Sequence, residues 1–353
     1  SPRLSLPAYQ FWTSSGCVVP GVWRRFPLQS DLVLLAGGLV AASAAMISVV
    51  ARVVRFARRP DPVVIVGPTG CGKSTLAQLL HTLSGRSGRL AEISAGELDS
   101  ALARDDLFGH GRGAFTGAVG ERRGLFAEAE GGTVLLDDFH LLRRSRQHVL
   151  LRVLDRLEFR RLGSDRAVPM LARIVVGTHD GLDELERRGR LVPDLRWRLG
   201  LHEVRVPPLA DRLEDIGLLG LQFLEQCRSE TKGAGPSHFD DDVLAALALQ
   251  PSWRGNVRQL RAVVRLAFTE AMDDAAIRLE HLVLDEPTAR RFDPSASPAQ
   301  KRRLVQWALW HCGGHITKAS QLIGAHRNTV SAIGAELRGA GVAHAAKRKA
   351  NRS

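Results

Sequence analysis

The chain has 353 residues, 44% of them apolar and 24% charged, a balance that excludes a disordered or low-complexity polymer and allows two or three domains with a sizeable core. Lys and Arg number 49 against 37 Asp and Glu, and the resulting charge of +12 favours a polyanionic partner, with a merely solubilising Arg-rich surface as the plainer alternative. The four cysteines, Cys17, Cys71, Cys227 and Cys312, lack zinc-ligand or redox spacing, which argues against a disulfide scaffold and for a reducing, cytoplasmic setting.

Residues 1–35 read as an irregular extension without periodicity or a signal-peptide pattern. Leu32–Ala51 carries no charge and is long enough to span a bilayer, yet it is rich in Ala, Gly and Ser and runs into Arg52, Arg55, Arg58 and Arg59. A core-packed helix over Leu39–Phe56 fits it better, so no membrane partner is expected. Asp61-Pro62 breaks the chain, and Val63–Val66 is an apolar run of the kind buried in a parallel sheet. It feeds into Gly67-Pro68-Thr69-Gly70-Cys71-Gly72-Lys73-Ser74-Thr75, which fits G-x-x-x-x-G-K-[ST] between a strand and a helix. In such a loop the backbone N–H groups and the helix N-terminus converge on phosphate oxygens. Lys73 then neutralises β and γ charge of ATP, and the Ser74 hydroxyl ligates Mg2+.

Gly113-Ala114-Phe115-Thr116-Gly117-Ala118 follows. Two glycines and two alanines bracket one aromatic and one hydroxyl, so the segment has little bulk to bury and reads as a loop presenting Phe115 and Thr116 to a partner. Thr133–Leu136 is a second buried strand, ending at Asp137, which can reach the metal, and Asp138, which can orient an attacking water or cap the next helix. A helix over Arg146–Leu157 precedes a third strand at Ala172–Gly177, and this alternation predicts a parallel α/β sheet covered by helices.

From Asp211 the pattern is helical only, with helices expected over Leu213–Arg228, Asp240–Leu249 and Asn256–Glu270. The expected division is an extension at 1–35, a nucleotide-binding α/β unit at 36–210, a helical unit at 211–285, a Pro- and Ser-rich linker at 286–299, a helix-turn-helix at 300–342 and a basic tail at 343–353. In the last module Ser320, Gly324 and Val330 occupy small, turn and core positions, with Thr317, Lys318, His326, Arg327, Asn328, Thr329 and Ser331 as candidate DNA contacts. Packing without DNA is the alternative for this module.

In order along the chain, the phosphate loop, GAFTGA and the acidic strand resemble the sigma-54 enhancer-binding family of AAA+ ATPases. Asp106-Leu107-Phe108-Gly109-His110, Gly131–Asp138, Val206-Pro207-Pro208-Leu209 and Trp253–Leu260 are similar to further motifs of that family, and the last module resembles its Fis-type DNA-binding end. The resemblance implies a P-loop α/β fold with a helical lid, a hexameric ring built from dimers, ATP at subunit interfaces and sigma-54 RNA polymerase met by residues 113–118. It makes Arg258 the lid's nucleotide sensor, Thr178 a strand sensor, and Arg198, with Arg196 as substitute, an arginine finger; Leu304, Val305 and Leu309 belong to a dimerising helix. The chain departs from the family at Asp138 (Glu there), His179, Ser94 and Val192, which points to slow turnover. A sigma-54-dependent activator is therefore expected, with a catalytically weak, nucleotide-gated DNA-binding scaffold or repressor as the alternative.

Overall fold

Val63–Val66 (β1) is buried along its whole length, and it forms the spine of a five-stranded sheet. Its companions are Leu90–Ser94 (β2), Thr133–Asp137 (β3), Arg173–Thr178 (β4) and Glu203–Arg205 (β5), in the spatial order β5-β1-β4-β3-β2 and all parallel. The computed structural model describes residues 10–12, 33–35, 39–99, 103–114, 120–200, 202–250, 252–284, 293–294 and 296–337. Contacts divide the chain into two units, the first built on Leu35–Pro208 and the second on Leu209–Ser353.

Interior strands of a parallel sheet are covered on both faces, which is why β1, β3 and β4 are continuous apolar runs. β2, at one edge, instead alternates, burying Ala91 and Ile93 while Glu92 points outward. The register sets Ser94 opposite Asp137 and Thr178 opposite Val66, so the carboxyl ends of β1 to β4 meet along one edge. Ligands bind at that edge in open α/β sheets.

Ala44–Ala57 (α1) begins at Ala44 rather than at the expected Leu39, because the Ser43 side chain caps it by accepting from the Met46 N–H at 3.2 Å. Residues 39–42 are buried but not helical. No helix among the described residues is long and apolar enough to cross a membrane; α1 continues through Arg52 and Arg55. Its C-terminal carbonyls are met by Arg173, whose fully buried guanidinium donates to Phe56 O (2.8 Å), Ala57 O (2.8 Å) and Asp61 O (3.1 Å). Burial pulls that guanidinium down to about 10. Residues 1–35 are not irregular throughout, since Gln10–Trp12 and Val33–Leu35 pair as two short strands.

The second unit is mainly helical. Leu213–Glu230, Asp241–Leu249 and Asn256–Glu270 bury one apolar stripe each, and the buried Asn256 side chain accepts from Leu209 N–H at 2.7 Å. Further on, helices Pro298–His311 and Ile316–Ile323 and a third through residues 327–337 pack together. Gly324, at φ 64, ends the middle helix, while Ala319, Ser320, Ile323, Val330 and Gly334 line the shared interior. Leu304 and Val305 are buried within this fold, so only the half-buried Leu309 of the three remains partly available to a second copy. The tail at 343–353, most of the linker and residues 338–342 lie outside the described residues.

Candidate nucleotide site

The phosphate loop leaves β1 with Gly67 N–H donating to Thr178 O of β4 at 3.0 Å. A Cβ on Gly67 would sit 2.8 Å from Cys71 Sγ and 3.0 Å from Val206 O, so a side chain there would push the loop off the sheet. Pro68 and Thr69 form the outer turn, and Gly70 (φ 73) and Gly72 (φ 107) take left-handed backbone that turns the chain into Lys73–Ser84 (α2). Cys71 is buried and acts as a small packing residue. Lys73 is buried too, its Nζ donating to Gly67 O at 3.2 Å, which keeps an ammonium inside the loop. Thr75 lies half-buried in the first turn of α2.

Ser74 Oγ lies 3.4 Å from Asp137 Oδ2, while Asp137 Oδ1 accepts from Asp138 N–H at 2.9 Å. Two residues missed by sequence reasoning shape this corner. A Cβ on Gly177 would lie 2.3 Å from Asp137 Oδ1, so the glycine leaves room for this carboxylate orientation. Glu92, on neighbouring β2, lies near Ser74 and Asp137; partial desolvation and the Asp137 charge push its carboxyl up, with the Ser74 hydroxyl opposing. The signal for Gly177 was a glycine inside a strand run; Glu92 depends on register and left none. The set of donors is all oxygen, as Mg2+ requires.

Asp138 has φ 50 and ψ 38, a left-handed conformation that costs a non-glycine residue about 1–3 kcal/mol. It precedes the short turn Phe139–Leu141 but makes no capping bond to it, so the capping alternative is not realised. His140, two residues on, has its ring 6.1 Å from that of His179. Burial foremost, then the His179 and Lys73 charges, lower His140, with Asp138 and Asp180 opposing. Thr178 is fully buried and its hydroxyl donates to Asp180 O at 3.0 Å, so it shapes the strand end.

The two arginines differ. Arg196 is held by Asp183 and Glu186 and lies against the Trp197 ring, with only 17% of its side chain exposed. Arg198 pairs with Asp155 and keeps 57% of its side chain exposed, so it is the more accessible of the two. Arg258 is exposed on Asn256–Glu270, in the second unit. Thr317, Lys318, His326, Arg327 and Asn328 are exposed, and Thr329 and Ser331 half-buried, around the turn at Gly324; His326 Nδ1 accepts from Asn328 N–H at 3.3 Å.

Of residues 113–118, Phe115, Thr116, Gly117 and Ala118 lie outside the described residues, but the base of their loop is built in detail. It starts from the short helix Ala103–Phe108 (α3), after which Gly109-His110 pairs with Arg122-Arg123. Gly109 (φ 73) and Gly124 touch backbone to backbone, a Cβ on either lying 2.2 Å from the other limb. Buried Asp105 binds His110 Nδ1 at 2.6 Å and Arg122 at 2.9 Å, Glu121 pairs with Arg161, and Gly111 N–H donates to Leu162 O at 3.0 Å. Gly113 takes φ 78, and Ala114 abuts Gly163. Both limbs are thereby stitched to each other and to the hairpin Glu158–Pro169.

A phosphate loop opening a helix at the carboxyl edge of a parallel sheet, with an acidic residue on the adjacent strand facing its serine, defines a P-loop ATPase. The family model of the Sigma-54 interaction domain matches residues 39–205, and that of the AAA+ ATPase lid domain residues 210–297. The transcriptional regulatory protein ZraR of Salmonella typhimurium is 33% identical over 307 residues, covering 84% of this chain and 68% of that protein. GlrR of Escherichia coli is 36% identical over 270 residues, covering 75% of this chain and 60% of its own, and a Geobacillus stearothermophilus protein named limonene hydroxylase is 35% identical over 275 residues, covering 76% and 50%. The chain thus spans about half to three-fifths of the length of these last two. NtrX from Brucella abortus superposes with a TM-score of 0.68 at 28% identity, over 86% of this chain and 69% of that one, and has also been solved with ADP and with ATP. The chain belongs to the sigma-54-dependent transcriptional regulators and carries their AAA+ ATPase domain.

Proposed function

We propose that the chain is a cytoplasmic sigma-54-dependent transcriptional activator that binds DNA, assembles into a hexameric ring from dimers, and uses ATP hydrolysis to remodel the closed complex of sigma-54 RNA polymerase. Gly67–Thr75 cradles the phosphates, and Lys73 neutralises their charge. Ser74 and Asp137 would hold Mg2+, with Glu92 beside them; bound there, the ion would neutralise phosphate charge. Asp138 orients the water that attacks the γ-phosphorus as the bond to the β–γ bridging oxygen breaks, giving ADP and inorganic phosphate. Arg198 acts on the neighbouring subunit's nucleotide, and Arg258 and Thr178 report its state. The exposed residues around Gly324, Thr317 to Ser331, supply the contacts to double-stranded DNA.

The observation that carries this reading is the stitched base of the GAFTGA loop, which ties the two limbs on either side of residues 115–119 to the same unit as the phosphate loop. The test uses sigma-54 capture in the presence of an ATP transition-state analogue. Thr116→Ala should abolish capture while ATPase and DNA binding stay near wild type, and undiminished capture in both Thr116→Ala and Phe115→Ala would overturn the proposal. A catalytically weak, nucleotide-gated scaffold or repressor is the second reading, favoured by the short Asp138 and by Arg196 being tied to two carboxylates. Phosphate release no faster than that of Lys73→Ala would select it.

A further inference from the structure

Away from the phosphate loop, a cavity of about 320 Å3 opens between α3, the helix Arg144–Arg156 (α4) and the hairpin that begins at Glu158. Its floor includes Phe108 and Phe159, stacked with ring centroids 5.7 Å apart. Its rim carries Arg104, Arg152, Arg156 and Arg160, all exposed. Among the described residues none of these four guanidinium groups has an ion-pair or hydrogen-bond partner, although most other arginines of this unit do. Glu158, the only carboxylate among the described lining residues, pairs with none of them.

This arrangement is electrostatically unfavourable by itself. Arg152 and Arg156 stand at i and i+4 on one helix face, where like charges destabilise, and Arg104 and Arg160 face them from two other elements. A polyvalent anion would turn that repulsion into attraction. Guanidinium forks match pairs of phosphate oxygens and remain charged at every physiological pH. The volume admits a ligand of small-molecule size, and the apolar floor can take a sugar or base.

We propose that this cavity binds a small polyphosphate anion, either a nucleoside polyphosphate or an inorganic one, as a second anion site distinct from the phosphate loop. Phe108 immediately precedes Gly109, where the GAFTGA loop begins, and Arg160 precedes Arg161, which holds Glu121 on the loop's other limb. An anion bridging Arg104 and Arg160 therefore clamps the loop base to the hairpin, and its release frees them. The site does not depend on the activity assigned to the phosphate loop.

The test is isothermal titration of the full chain carrying Lys73→Ala, with inorganic tripolyphosphate in one arm and adenosine 5′-tetraphosphate in the other. Binding of one equivalent in either arm is expected, and the arm that binds more tightly identifies the source of the phosphate. Adding Arg104→Gln and Arg156→Gln together should weaken it at least tenfold without lowering the unliganded melting temperature, since both side chains are exposed and unpaired and their removal relieves like-charge repulsion. Arg152→Gln with Arg160→Gln is the second pair and should act alike. No binding in either arm, or affinity unchanged in both double variants, overturns the proposal. So does a rim that binds duplex DNA but neither polyphosphate.

Discussion

At the scale of single residues, the site is decided by carboxylate reach and backbone strain. Asp138 is one methylene shorter than the residue its relatives are expected to carry, and its left-handed backbone fixes where the carboxylate starts. If reach limits hydrolysis, Asp138→Glu should raise phosphate release several-fold at saturating ATP, with nucleotide affinity unchanged in a fluorescent-nucleotide titration. Arg173 presents the opposite case, a charge buried for structural reasons. Arg173→Leu leaves the carbonyls of Phe56, Ala57 and Asp61 without their donor and should lower stability by about 3 kcal/mol or more, read from urea denaturation. Lys73 and Ser74 were legible in the sequence because a motif fixes their spacing, and Asp137 because it ends an apolar strand run. Glu92 and Gly177 were not, because both reach Asp137 across the sheet, and only the strand register brings them there.

Among the elements, legibility followed burial. β1, β3 and β4 are covered on both faces and read as apolar runs, whereas β2 alternates at an edge and β5 is three residues long, too short for a period to show. The GAFTGA segment was read from composition alone, but the stitching of its base depends on contacts between residues far apart in sequence. Asp105 is the centre of that base. Burial alone would raise its carboxyl, but hydrogen bonds from His110 and Arg122, with their charges, outweigh burial and hold it below the ordinary range. A depressed carboxyl contributes stability that is fully present above its unfolded value, about pH 4, and is lost as pH falls through the lower folded value. Asp105→Asn should therefore destabilise the first unit by about 2 kcal/mol at pH 7, and the gap to wild type should close in strong acid. Thermal melts at pH 7 and pH 2.5 check both the size and the sign.

For the whole molecule, the proposed role of Arg198 toward a neighbouring subunit carries the sharpest test. Arg198 is exposed with a single half-exposed carboxylate partner, whereas Arg196 is committed within its own protomer. ATPase activity per subunit should rise steeply with protein concentration, and Arg198→Ala should lose at least a hundredfold in turnover while keeping nucleotide affinity. Turnover independent of both concentration and Arg198 would exclude a site shared between subunits. The parallel sheet also constrains the order in which the molecule can come into being. β1 has β4 on one side and β5 on the other, pairing Val63 with Val175 and Val64 with Glu203. Parallel neighbours this distant in sequence close late, because a long loop must be ordered first. During synthesis the phosphate-loop sequence emerges early, but Thr178 O, which accepts from Gly67 N–H, and Val206 N–H, which donates to Val66 O, exist only after the chain has grown through β4 and β5. A nascent chain that stalls before Arg205 would display every residue of the phosphate-binding motif and still lack a place for phosphate to bind.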